Sequence, residues 1–306
     1  RMMWLFVFGM IHAYFIWYGD ILVAYSLCGM LVFAFRNQSA QSLLFASAGF
    51  FIIPMLLYTL SGLSIPMWPE ESYNNSLQGW LPDAGKVQEE IENMRGSWLK
   101  QMGTRVPASL MMQTFLFFLM VFWRVTSMML LGMALFKLGI LTAQKTRSFY
   151  WKMALIGLIA GFVLAIWGVV ENFAVNWKMD FSLFIGSLFN YAGSVGVALG
   201  YIALVMLLSN AKTGQKIKIV FASVGKMAFS NYILMSLLGM YLFYGNGFGL
   251  YGQVERATQL LFVLGIWIIL LVISPIWLKK FRFGPLEWLW RGLTYWHFPE
   301  IKKKMS

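Results

Sequence analysis

Residues 145–180 read KTRSFYWKMALIGLIAGFVLAIWGVVENFAVNWKMD, and this stretch decides the fold class. Lys145, Arg147 and Lys152 stand at its head with no acid among them. No charged side chain then occurs from Met153 to Val170. As a helix rising about 1.5 Å per residue, that run measures about 27 Å, close to the roughly 30 Å hydrocarbon core of a bilayer. Glu171 and Asp180 follow at the far end. Cations at one end of such a run mark its cytoplasmic flank.

The same grammar repeats along the chain. Apolar runs occupy 2–18, 20–35, 42–63, 106–141, 150–170, 183–208, 220–244 and 257–278. The first two are short and are interrupted by Gly19-Asp20, which reads as a tight helical hairpin. The run 106–141 would measure about 54 Å as one helix, too long for a single crossing. Arg124 divides it, so 106–123 reads as a re-entrant or interfacial segment and 124–141 as the span. The expected fold is therefore all-α: a polytopic transmembrane helix bundle of about eight spans plus an interfacial C-terminal helix.

Charge then sets the sidedness. Arg1 and Arg36 flank the first hairpin, loops 137–152 and 212–226 hold only basic residues, and the tail adds Lys279, Lys280, Arg282, Arg291 and Lys302 to Lys304. All fall on one face if there are eight crossings, which puts both ends in the cytoplasm. Segment 64–105, with its acids, falls opposite as an extracytoplasmic loop. Within it Lys86–Gln101 reads as a surface helix, because Val87, Ile91, Met94 and Trp98 share a face. Residues 282–296 (RFGPLEWLWRGLTYW) read as a short interfacial helix with Pro285 in its first turn. Residues 1–306 are expected to form a single membrane domain. Arg1 in place of a starting methionine points to further helices ahead of it.

Composition agrees. The chain is 59% hydrophobic and 12% charged, too few polar side chains to cover a soluble fold of 306 residues. Its net charge of +12 lies in short loops between apolar runs rather than on one polar domain, which argues against nucleic acid as a partner. Cys28 is the only cysteine, so no intrachain disulfide can form and no thiolate metal site is expected. Gly157/Gly161 and Gly196/Gly200 form GxxxG pairs suited to close helix packing.

Ionisable groups at membrane depth are costly, so they are candidates for function. His12 in FGMIHAYFIWYGD can act as a general base, bond across helices or bind metal; no second ligand lies near it in sequence, so no metal is assigned. Asp20 can cap the following helix, orient His12, or do both. Arg124 can snorkel or hold an anion. Glu171, Asn172, Asn190, Asn231 and Tyr232 are candidates for binding substrate, with Ser194 beside them. By the expected topology His12, Asp20, Arg124 and Glu171 could share an outward cavity.

Three stretches, FGMIHAYFIWYGDILVAYSLCG (8–29), VGKMAFSNYILMS (224–236) and FRFGPLEWLWRGLTYW (281–296), resemble the bacterial YeiB-like membrane protein family, a domain of unknown function. WRVTSMMLLGMALFKLGIL (123–141) fits between them. The resemblance implies the bacterial inner membrane. That family in turn resembles the transmembrane acyltransferases, which include heparan-glucosaminide acetyltransferase. This more distant likeness implies acyl transfer from a coenzyme A thioester to a small-molecule, lipid or glycan hydroxyl or amine. His12 would be the base, Asp20 its orienting partner and Arg124 the donor to the oxyanion. No permanently bound cofactor is implied; acyl-coenzyme A would be a co-substrate. The LDxxRG-like motif of the family's early helices does not occur here. A transporter of a small polar solute and a non-catalytic scaffold are the competing readings.

Overall fold

The computed structural model describes residues 1–303; Lys304, one of the tail cations, lies outside the described residues. Regular structure is helical apart from one isolated antiparallel bridge between Phe281 and Lys302. In chain order the helices are α1 (Met2–Ile11), α2 (Leu22–Val32), α3 (Ala40–Ser64), α4 (Glu70–Trp80), α5 (Ala84–Arg95), α6 (Trp98–Gln113) and α7 (Phe122–Lys137). They continue with α8 (Arg147–Ala174), α9 (Met179–Ser182), α10 (Ile185–Asn210), α11 (Gln215–Lys226), α12 (Ala228–Phe243), α13 (Arg256–Lys280) and α14 (Pro285–Tyr295).

Among the described residues five segments are long and apolar enough to cross a bilayer: Ala40–Met67, Trp98–Lys137, Arg147–Ala174, Met179–Asn210 and Arg256–Lys280. α11 and α12 make a sixth if this pair, bent by 79°, is one broken span. The expectation of about eight exceeds this count because the runs 2–18 and 20–35 fold as separate helices of only 10–17 residues. At about 1.5 Å per residue neither reaches the roughly 30 Å of a full crossing. The long run is irregular: α6 stops at Thr114, and a π-turn at Phe117–Val121 leads into α7.

The polar segment departs from its reading. The helix expected at Lys86–Gln101 ends at Arg95, and Ser97 caps a new helix by accepting the Lys100 N–H. α4 was not expected in the proline-bearing stretch. Pro69 sits at its N-cap and Glu70 and Glu71 fill its first turn, where acids favour the helix dipole.

The chain divides into two compact units. One comprises Leu31–Ala84 and Phe118–Lys212. Its main joint is α8 against α10. A Cβ built on Gly161 would lie 2.5 Å from the Val197 nitrogen and 2.6 Å from the Gly193 oxygen, so only glycine permits this backbone approach. Gly157 meets Gly196 and Gly200 in the same way; the two GxxxG pairs pack on each other. α3 joins α7 through the buried Ser47 and Ser127, each donating to the other's carbonyl.

The other unit comprises Arg1–Met30, Gly85–Phe117 and Thr213–Ser306. Here α14 packs on α1 and α12. Trp290 donates to the Arg1 carbonyl at 3.0 Å and lies against Phe229, which in turn meets Phe8. The Glu287 carboxylate accepts the backbone N–H groups of Phe229 and Ser230 at 2.7 and 3.0 Å, and the Ser230 hydroxyl as well. It therefore caps α12 where the broken span restarts. Asn231, 3% exposed, bonds the Val224 carbonyl and Ser274, tying α12 to α11 and α13.

Candidate functional site

The site begins where α1 loses its regular pitch. At His12–Ile16 the helix widens into a π-turn, closed by the Trp17 N–H on the His12 carbonyl at 2.9 Å. Such turns displace side chains from the helix register and recur at functional sites. Trp17 is extended, and the chain turns to start α2. The turn carbonyls find donors on α6. The Ser109 hydroxyl donates to Ala13, while the Trp98 indole and the Arg105 guanidinium both donate to Phe15.

His12 is 1% exposed. Its Nδ1 lies 2.8 Å from Oδ2 of Asp20, whose side chain is equally buried. Asp20 also does the capping work: Oδ1 accepts the Val23 N–H at 2.8 Å in the first turn of α2. Tyr232, from α12, donates to Oδ2 of Asp20 at 3.4 Å and accepts the Ile21 N–H at 3.2 Å. Its ring centroid lies 4.9 Å from the imidazole. Gly9 permits this convergence. A Cβ there would lie 2.6 Å from the Val23 nitrogen and 3.0 Å from Oδ1 of Asp20.

A carboxylate only accepts hydrogen bonds, so in the neutral imidazole the proton sits on Nδ1 and Nε2 holds a free lone pair. Nε2 is buried and has no hydrogen-bond partner among the described residues. A buried acceptor left open in this way is rare and calls for a functional account.

Next to the dyad lies a cavity of about 760 Å³, within the usual range for small-molecule sites. Trp17, Tyr18, Glu90, Tyr232, Tyr244 and Tyr251 are among its walls. Tyr232 and Trp17 are also the rings packed on the imidazole, with centroids at 4.9 and 6.4 Å. The Tyr251 hydroxyl donates to Glu90 at 2.6 Å. Burial, and then that bond, push the Tyr251 phenol above its ordinary range; burial does the same for Tyr18.

The remaining candidates lie elsewhere. In the other unit Arg124 donates to the Ser194 hydroxyl at 2.7 Å, with its guanidinium 4.5 Å from the Tyr191 ring centroid and 5.3 Å from that of Phe51. Its Nη1 is buried without a partner. Glu171 accepts the Trp167 indole N–H. Asn172 donates to the carbonyls of Gly168 and Gly186, stapling α8 to the start of α10. Asn190 is exposed on α10. The structure thus brings His12, Asp20 and Tyr232 together, while Asn231 and Asn172 serve helix joints.

Sequence reasoning missed Arg105, the last residue of the segment read as an extracytoplasmic loop. It is fully buried, bonded to Gln101 at 2.7 Å and to the Phe15 carbonyl at 3.2 Å. A signal was present: Gln101, Arg105 and Ser109 recur every four residues, and all three are fully buried.

The chain is 29% identical to the uncharacterized protein YxaH of Bacillus subtilis (strain 168) over 309 residues, covering 99% of this chain and 73% of that protein. It is 30% identical to the uncharacterized protein YeiB of Escherichia coli (strain K12) over 317 residues, covering 96% and 74%. An uncharacterized 39.9 kDa protein from the amylase 3' region of Bacillus acidopullulyticus is 32% identical over 47% of this chain and 45% of its own length. No solved structure matches. The YeiB-like resemblance read from the three motifs is therefore borne out over nearly the whole chain. The family model for proteins of unknown function, DUF418, matches residues 135–297, and this multi-pass membrane protein belongs to that family.

Proposed function

We propose that this protein transfers an acyl group from an acyl-coenzyme A to an acceptor hydroxyl or amine, with His12 as general base. The carrying observation is the open lone pair on buried Nε2, left free because Nδ1 is engaged by Asp20. In this reading Nε2 takes the proton of the acceptor as its oxygen or nitrogen attacks the thioester carbonyl. The tetrahedral intermediate collapses, the carbon–sulfur bond breaks, and the thiolate leaves and takes up a proton. Asp20 keeps the imidazole in the productive tautomer and stabilises the imidazolium that forms. Arg124, expected at the oxyanion, is engaged with Ser194 in the other unit, so the reading rests on His12 and Asp20. In this reading the basic loops 137–152 and 212–226 lie in the cytoplasm, where the thioester is.

Purified protein with acetyl-coenzyme A and a panel of amine and hydroxyl acceptors should release free thiol. His12→Gln should lower that rate by about 10²–10⁴-fold. Equal rates in wild type and His12→Gln would overturn the assignment. One observation favours transport instead, the 79° break between α11 and α12, since broken helices line transporter pathways. Solute flux into liposomes without an acyl donor, with no thiol release, would decide for that reading.

A further inference from the structure

The cavity beside the dyad has a chemistry of its own. Trp17, Tyr18, Tyr232, Phe243, Tyr244 and Tyr251 give it six large aromatic rings. Among the described residues that wall it, Glu90 is the one charged side chain, and no wall residue is cationic. Arg105 is not a wall residue; it is fully buried and engaged by Gln101 and the Phe15 carbonyl.

Tyr244 and Tyr251 stand at 64° to one another with centroids 6.2 Å apart, two sides of a corner rather than a stack. The Tyr251 hydroxyl anchors Glu90 in place. Aromatic faces carry negative quadrupole charge, and a carboxylate adds a full one. At the Glu90 wall this charge favours a compact cation over phosphates and carboxylates. An alkylated ammonium fits better than a metal ion, because ring faces replace its weak hydration and offer no ligand atoms.

We propose that this cavity binds a small organic ammonium group, with Glu90 as counter-charge and the tyrosine and tryptophan rings as its cage. Only the step that equates this ligand with the acyl acceptor rests on the acyl-transfer reading; the binding does not. Tyr232 and Trp17 wall the cavity and also pack on the His12 ring, so the caged ligand would sit one ring away from the dyad.

The test uses the whole chain in maltoside micelles with no acyl donor present. Choline is titrated by calorimetry against 3,3-dimethylbutanol, its uncharged isostere. Choline should bind at least about tenfold more tightly, the scale of one desolvated cation–π contact plus a charge pair. Glu90→Gln and Tyr244→Ala should each weaken choline by about fivefold or more. Equal affinity for choline and the isostere, or no saturable choline binding up to about 50 mM, would overturn the proposal. That comparison needs only wild-type protein, so a variant that fails to fold does not blunt it. A third titration, with a soluble short-chain phosphatidylcholine, separates sources. Tighter binding than choline assigns a lipid headgroup, and weaker binding a free amine; either supports the caged cation. Choline binding without thiol release would uphold the cage and count against acyl transfer.

Discussion

Asp20 meets a helix start, a histidine and a tyrosine with one carboxylate. Oδ1 holds the Val23 N–H while Oδ2 takes His12 and Tyr232. Its two readings from sequence, cap and orienting partner, are thus compatible, because each uses a different oxygen. Asp20→Asn should cut the thiol-release rate by about 10²-fold or more, since the amide can present N–H to Nδ1 and reverse the tautomer. Tyr232→Phe removes only the long 3.4 Å bond to Asp20 and the acceptor for Ile21, so a change below about tenfold is expected. Arg105→Met should be felt in stability instead. It strands the Gln101 oxygen and loosens the π-turn, and should cost about 2–4 kcal/mol, read as a lower thermal midpoint. His12 and Asp20 were legible because ionisable groups stand out in apolar sequence. Arg105 was not, because at the edge of a run a cation reads as a topology signal until the fold buries it.

At the level of elements, the sequence motifs acquire physical jobs. Glu287 in GPLEW reaches the first turn of α12 in GKMAFSNY, so two of the motifs that carry the family resemblance meet as cap and capped helix. A carboxylate accepting helix N-terminal amides is a charge-assisted bond. Glu287→Ala should therefore destabilise the protein by about 1–3 kcal/mol, with Glu287→Gln retaining part of that, measured by thermal unfolding in detergent. The α8–α10 joint gives a second check. Gly161→Leu cannot be accommodated where a Cβ already lies 2.5 Å from a backbone nitrogen, and should prevent a monodisperse preparation. The apolar helices and the GxxxG pairs were readable, since both depend on local pattern, whereas α4 and the partners of those glycines were not. Helix lengths were not: the hairpin runs look like spans until Trp17 leaves helical geometry.

For the molecule as a whole, sidedness is the open physical quantity. Cysteines replacing Lys145 and Lys216 in the basic loops should react with impermeant maleimides only after cytoplasmic access, and one replacing Glu89 only from outside. Cys28 is fully buried and should add little background. Labelling of all three from the same side would overturn the assignment of the basic loops. The amino-acid sequence by itself determined that this is an all-α membrane protein, where its charges cluster, and that His12, Asp20, Arg124 and Glu171 are the polar groups to watch. Those conclusions follow from transfer free energies, which depend on composition along a run and not on partners. Only the tertiary structure decided that His12 and Asp20 bond each other, that Tyr232 completes them, and that Glu90 and Tyr251, far apart in the chain, wall one aromatic cavity. Those are matters of distance between side chains on different helices, set by packing that no local pattern encodes.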